Sequence, residues 1–159
     1  MQIYTVAMGY HPSAGVQRGQ AAVAHTKLAS FRCRAAVTDR DELVGFGYGY
    51  ASRPGQWWHD LVDRAIAPEL VPDWLGDAFE LSELHVLPTV QGRGVGRRLL
   101  VDLAAVVPTR TMLLSTPDAD TRAFRLYRSL GFLDLARNHR FPGDSRAFAV
   151  LGRMLPLAT

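Results

Sequence analysis

Residues 84–100 read LHVLPTVQGRGVGRRLL. An apolar strand ending meets a proline, then a turn with glycines at alternate positions, then an arginine–leucine run. Gly92, Gly94 and Gly96 let the backbone turn tightly or approach a ligand without Cβ obstruction. A helix opening near Val95 leaves its first-turn N–H groups without an intrahelical partner, and its macrodipole adds partial positive charge there. Arg93, Arg97 and Arg98 add cationic reach. The stretch therefore suits a phosphate or a pyrophosphate. Two well-known phosphate loops fit it poorly. A P-loop ends in Gly-Lys-Ser/Thr, whereas Gly96 is followed by two arginines. A dinucleotide fold expects G-x-G-x-x-G early in the chain and an acid closing the next strand, and TMLLSTP (111–117) has none. On the glycines alone, a tight turn with surface arginines that binds nothing stays open.

Working outward, FELSELHVL (79–87) reads as the strand before the turn and ends at Pro88. Strict alternation sets Glu80, Ser82, Leu84 and Val86 on one face, with Leu81, Glu83, His85 and Leu87 on the other. After the turn, Val95, Leu99, Leu103 and Val106 recur at helical spacing until Pro108. TMLLS is the next strand, and Asp120–Leu130 a second helix with Gly131 as terminator. FLDLARNHRF and RAFAVLGRML form a closing antiparallel pair around PGDS. Upstream, IYTVAM (3–8) reads as a first strand, and Val16–Leu28 as a helix. FRCRAAV and LVGFGYGYA form a β-hairpin in which Cys33 is expected to be a buried small hydrophobe. Residues 52–78 break the rhythm with a turn, the helix QWWHDLVDRAIA and a proline-bearing loop, and read as an insertion that covers something. The tally is a mixed α/β (α+β) sheet.

The 159 residues, 48% of them hydrophobic, suffice for one domain with a proper core. No apolar run reaches the roughly 18 residues of a spanning helix, and no secretory signal opens the chain. With Cys33 the only cysteine, the expectation is a soluble cytoplasmic domain without membrane partners. The net charge of +3 rests on arginines scattered along the sequence, which argues against a nucleic-acid partner. The five histidines show no metal-ligand spacing, so no metal is expected. From Gln56 to Glu80 the charges are Asp60, Asp63, Glu69, Asp73, Asp77 and Glu80 against Arg64 alone.

A second motif makes the glycine loop specific. About thirty residues on, AFRLYRSLGF (123–132) has the pattern A-x-x-L-Y-x-x-x-G-F at Ala123, Leu126, Tyr127, Gly131 and Phe132. Together with Val86, Pro88, Gln91, Gly94 and Gly96, it resembles the paired blocks of the GNAT N-acetyltransferase superfamily. The close match covers about residues 79–132, within a single domain at 1–159. The resemblance implies a central, mostly antiparallel sheet, splayed at its two central strands and flanked by helices.

It also implies acetyl-CoA as acyl donor and an amine as acceptor. Backbone groups around Leu84, His85 and Val86 would pair with the pantetheine arm, the Leu84 amide polarising the acetyl carbonyl. Gln91, Gly92, Arg93, Gly94, Val95, Gly96 and Arg97 would hold the pyrophosphate. Tyr127 matches the general-acid position, and a phenol stays protonated at neutral pH. Glu80 is the candidate general base, with Glu83 as its rival and His85 third, since a bulge of the kind the family uses would turn either inward. The family's pantetheine-bonding Asn is Asp120 here, a residue suited to capping its helix.

The acceptor would lie against the acidic insertion at 52–78. Trp57, Trp58, Asp60 and Phe79 offer aromatic faces and charge to a small cationic amine. The bland reading has the tryptophans as core and the carboxylates in water. A GNAT-fold sensor or interaction domain that binds acyl-CoA without turnover is the alternative function, and many members are homodimers.

Overall fold

The computed structural model describes residues 2–157. In chain order it has α1 (Gln2–Met8), α2 (Pro12–Thr26), β1 (Arg32–Val37), β2 (Leu43–Ala51), α3 (Trp57–Ala65), α4 (Val71–Trp74), β3 (Ala78–Val86), α5 (Val95–Ala104), β4 (Thr111–Pro117), α6 (Arg122–Ser129), β5 (Leu133–His139) and β6 (Phe148–Met154). The six strands form one sheet in the order β1-β2-β3-β4-β6-β5. Three of its pairings are antiparallel, and β3 with β4 is parallel. The chain divides into two compact units, 1–50 with 81–107, and 51–80 with 108–159.

In the first unit, β1 and β2 make the expected hairpin, Arg32 opposite Gly49 through Val37 opposite Leu43. Its turn is fixed by Thr38, whose hydroxyl accepts from the amides of Arg40 and Glu42. The glycines of GFGYG are a packing device. A Cβ on Gly45 would sit 3.1 Å from the His85 carbonyl and 3.2 Å from Leu99 Cδ1, and one on Gly47 would sit 3.0 Å from Leu84 Cδ1. Bare backbone there lets α5 lie close to the strands through Leu99 and Leu103. Leu84 and Val86 face α5, whereas Glu83 and His85 face α1 and α2. Alternation therefore runs unbroken along β3 from 83 to 86, and no bulge is needed to turn Glu83 and His85 toward α1 and α2.

Three expectations for this unit are corrected. IYTVAM is helix α1, in which Ile3 and Thr5 are buried; tertiary burial overrides the β-branched pattern. Cys33 is exposed. The alternation on β1 holds, but Arg32 and Arg34 are the partly buried side, their guanidinium groups bonded to main-chain carbonyls. On α5, Leu99, Leu100, Leu103 and Ala104 are the buried positions, and Val106 lies past the helix end and exposed.

In the second unit, β4 pairs with β6 along its whole length, from Thr111 opposite Met154 to Pro117 opposite Phe148. The β3–β4 ladder covers only Ala78, Phe79 and Glu80 against Thr111, Met112 and Leu113. The core gathers Trp58, Val62, Ile66, Trp74, Leu75, Ala78, Leu113, Phe141 and Val150. Gly152 on β6 admits the Trp74 ring, since a Cβ there would fall 2.8 Å from Trp74 Cε3 and 2.7 Å from Leu135 Cδ1. Helix α6 is capped by Thr121, which accepts from the Phe124 amide at 3.0 Å. Asp120, the expected cap, instead pairs with Arg125.

Candidate functional site

The glycine turn is built as a helix opening without a side-chain cap. Gly92 and Gly94 have φ of 78° and 80°, the left-handed region that favours glycine. Gly94 is the N-cap of α5 and supplies no capping side chain. The first intrahelical bond runs from Arg98 N–H to the Gly94 carbonyl. The amides of Val95 and Gly96 precede it, so they and the helix dipole are directed at whatever lies beyond the N-terminus. The side chains of Arg93, Arg97 and Arg98 are exposed around them. Gln91, expected among the phosphate contacts, donates its side-chain amide to the Val86 carbonyl at 2.8 Å. It ties the loop to the end of β3.

The edge of β3 follows from one bond. Leu87 N–H donates to the Val44 carbonyl at 2.8 Å, so the main-chain groups of 83, 85 and 87 turn toward β2. Those of Leu84 and Val86 turn the other way. On its α1–α2 side, β3 carries a buried ionic cluster. The Glu83 carboxylate, 3% exposed, accepts from Arg18 Nε on one oxygen and pairs with His85 Nε2 on the other. Burial works against the Arg18 charge, but the adjoining carboxylate outweighs it through charge and hydrogen bond and raises the Arg18 pKa. Tyr4 packs edge-on against His85 at 5.1 Å, and Phe46 lies 5.7 Å from it. Beyond them His25 sits against Tyr48 and Tyr50, its pKa lowered by burial and by the Arg18 charge, with Glu83 partly opposing. Arg18, Tyr4, His25, Tyr48 and Tyr50 were not among the residues expected from sequence. The Arg18–Glu83 contact spans 65 positions, and no local spacing signals it.

The remaining candidates lie in the second unit. Glu80 is buried and stands opposite Leu113 in the parallel ladder. Tyr127 is buried on α6, and the rest of its motif explains how it is held. Gly131, φ 79°, donates to the Arg128 carbonyl, and Phe132 donates to the Tyr127 carbonyl. These two bonds form a Schellman motif, and the Phe132 ring lies 5.7 Å from that of Tyr127. The G-F of the motif thus ends the helix and packs against the tyrosine.

Of the acceptor candidates, Phe79 is fully buried and Trp58 lies in the core, its Nε1 donating to Ser115 Oγ at 3.1 Å. Asp60 accepts from the Gly55 amide. Trp57 is 60% exposed, its ring 5.8 Å from Phe141. His59 is buried against Ser52 Oγ at 2.9 Å, and burial lowers its pKa.

The model of the acetyltransferase (GNAT) family matches residues 2–132. A GCN5-like protein acetyltransferase of Mycobacterium tuberculosis is 47% identical over 131 residues, 77% of this chain and 64% of that protein. The chain thus spans less than two thirds of that relative's length. The N-alpha-acetyltransferase RimI of the same organism is 35% identical over 63 residues, 40% of each chain. Among solved structures, one of the GNAT family from Desulfovibrio desulfuricans aligns over 96% of this chain and 88% of its own, with a TM-score of 0.70 at 16% identity. The yncA protein of Salmonella typhimurium, solved with its cofactor acetyl-CoA, aligns over 90% and 75%, with a TM-score of 0.60 at 18% identity. At these identities the structural likeness is one of fold.

Proposed function

Because the chain belongs to the acetyltransferase (GNAT) family, we propose that it transfers the acetyl group of acetyl-CoA to a primary amine, by direct attack in a ternary complex. The observation that carries this reading is the α5 opening. Two glycines at positive φ and a helix start without a side-chain cap present the first-turn amides of Val95 and Gly96, in a setting of three arginines. That donor set fits a pyrophosphate. The outward main-chain groups of Leu84 and Val86 fit a pantetheine arm, and the Leu84 amide is the oxyanion donor. Gln91 occupies the Val86 carbonyl and releases it when the arm arrives.

Tyr127 gives its proton to the departing thiolate. Its place in the motif and its helix-end anchoring support that role. The proton of the attacking amine passes to a group on β3, where the carboxylates are Glu80 and Glu83. The acceptor is a cationic amine. Exposed Trp57 near Asp60 and Asp63 on α3 favours a small one. The 47% identical protein acetyltransferase favours a protein amine as a second reading. Thiol release from acetyl-CoA, measured with polyamines, amino acids and lysine peptides, tests the proposal. Amine-dependent release is expected, and preference for neutral or anionic acceptors would sink the acceptor class. Tyr127→Phe is expected to lower kcat by about 10²-fold or more, and an unchanged rate would remove the acid assignment. Tight CoA binding with no turnover for any amine would leave an acyl-CoA sensor.

A further inference from the structure

We propose that Glu83 and His85 act as a carboxylate–imidazole pair, in which His85 Nδ1 accepts the proton of the attacking amine and Glu83, held by Arg18, is the positioning residue. This rests on the acetyltransferase reading and assigns the base within it. Both oxygens of Glu83 are engaged, one by a guanidinium and one by an imidazole, which leaves the carboxylate poorly placed to take a proton from substrate. The same contacts prepare His85. A neutral imidazole has one N–H and one lone pair. With Nε2–H on the carboxylate, the lone pair is on Nδ1, and among the described residues His85 has no second hydrogen bond.

The ring is walled by Tyr4 and Phe46 and keeps 11% side-chain exposure, enough for a small group to reach it. The titratable and charged groups facing the pair are Tyr4 from α1, Arg18 and His25 from α2, and Tyr48 from β2. Glu83 offsets the Arg18 charge, so the approach of a cationic amine is not opposed, and the aromatic walls offer it π faces.

The ammonium loses a proton to His85 Nδ1, and the imidazolium is stabilised through Nε2–H by Glu83. The free amine attacks the acetyl carbonyl, a C–N bond forms and the C–S bond breaks. The thiolate takes the Tyr127 proton. The new amide sheds its second proton, which restores the tyrosine, and His85 returns its own to solvent.

Two measurements test the pair. The first is the pH profile of kcat/KM for thiol release from acetyl-CoA, with spermidine and with a lysine peptide. The wild type should show a rising limb. His85→Gln should lower kcat about 10²-fold and abolish that limb, Glu83→Gln should move it to lower pH, and Glu80→Gln should retain it. A limb that survives His85→Gln and vanishes in Glu80→Gln overturns the assignment. The second is ¹⁵N NMR of the His85 ring, which needs no turnover and so separates this proposal from the activity. The Nε2–H tautomer is expected in the wild type, with the preference weakened in Glu83→Gln, or in Arg18→Ala should that variant fail to fold. An Nδ1–H tautomer overturns the pair.

Discussion

Replacing Gly94 by alanine separates backbone conformation from space. A Cβ at Gly94 would meet no heavy atom within 4 Å, so the substitution creates no clash. The residue sits at φ +80°, where an ordinary L-residue costs about 1–2 kcal/mol. The loop is exposed and can relax in the free protein, so the melting temperature without ligand should fall by only a few degrees. With ligand, the amides of Val95 and Gly96 must return to the geometry that Gly94 sets, and the strain reappears as lost affinity. At tenfold per 1.4 kcal/mol, the Kd for CoA should rise about 5- to 30-fold. Gly94→Asn should cost less, because Asn tolerates the left-handed region. Calorimetric titration with CoA reads both variants. An unchanged Kd for the alanine variant, or an equal loss for alanine and asparagine, would refute the reasoning.

Gly152→Ala tests packing instead. Its Cβ would lie within 2.9 Å of two Trp74 ring carbons and 2.7 Å from Leu135 Cδ1. Overpacking of this kind costs about 1–3 kcal/mol, or about 2–12 °C in melting temperature for a chain of this size. Tryptophan emission should shift with it, and a melting curve matching wild type would contradict the tight β6–α4 contact. Buried His59 and half-buried His25 set a pH dependence. Burial, the larger influence on each, lowers the pKa of His59 and of His25 below 6.5, so the folded state resists their protonation. As pH falls below about 6.5 the unfolded chain binds these protons first, and stability drops until the lowered folded pKa is passed. Chemical denaturation from pH 7.5 to 5.5 should show that slope, reduced in His59→Asn. A slope identical in the variant would remove His59 from the account.

What the sequence made legible was local. The glycine turn, the α5 start and the LYRSLGF helix end each declare themselves within about ten residues, because positive φ, caps and terminators are properties of neighbours in the chain. The hairpin and the closing strand pair were equally readable from alternation. The first helix was not, since Ile3 and Thr5 fit a strand as well as a helix until burial decides. Capping by Thr121 in place of Asp120 is a choice between adjacent residues of similar propensity. The insertion showed its tryptophans but not their fates: Trp58 and Trp74 fill core, and Trp57 alone of the three stays exposed. Least legible was the Arg18–Glu83–His85 cluster, which joins α2 to β3 and has no periodic signature.

The central claim is that this chain binds acetyl-CoA through the α5 opening and passes its acetyl group to an amine. The most direct measurement is continuous thiol release by the purified protein with acetyl-CoA, with and without a mixed panel of cationic amines, in parallel with Gly94→Ala and Tyr127→Phe. Amine-dependent release is expected, with a raised KM for acetyl-CoA in Gly94→Ala and a kcat lowered by about 10²-fold or more in Tyr127→Phe. Release that is independent of amine, or equal in all three proteins, would contradict it.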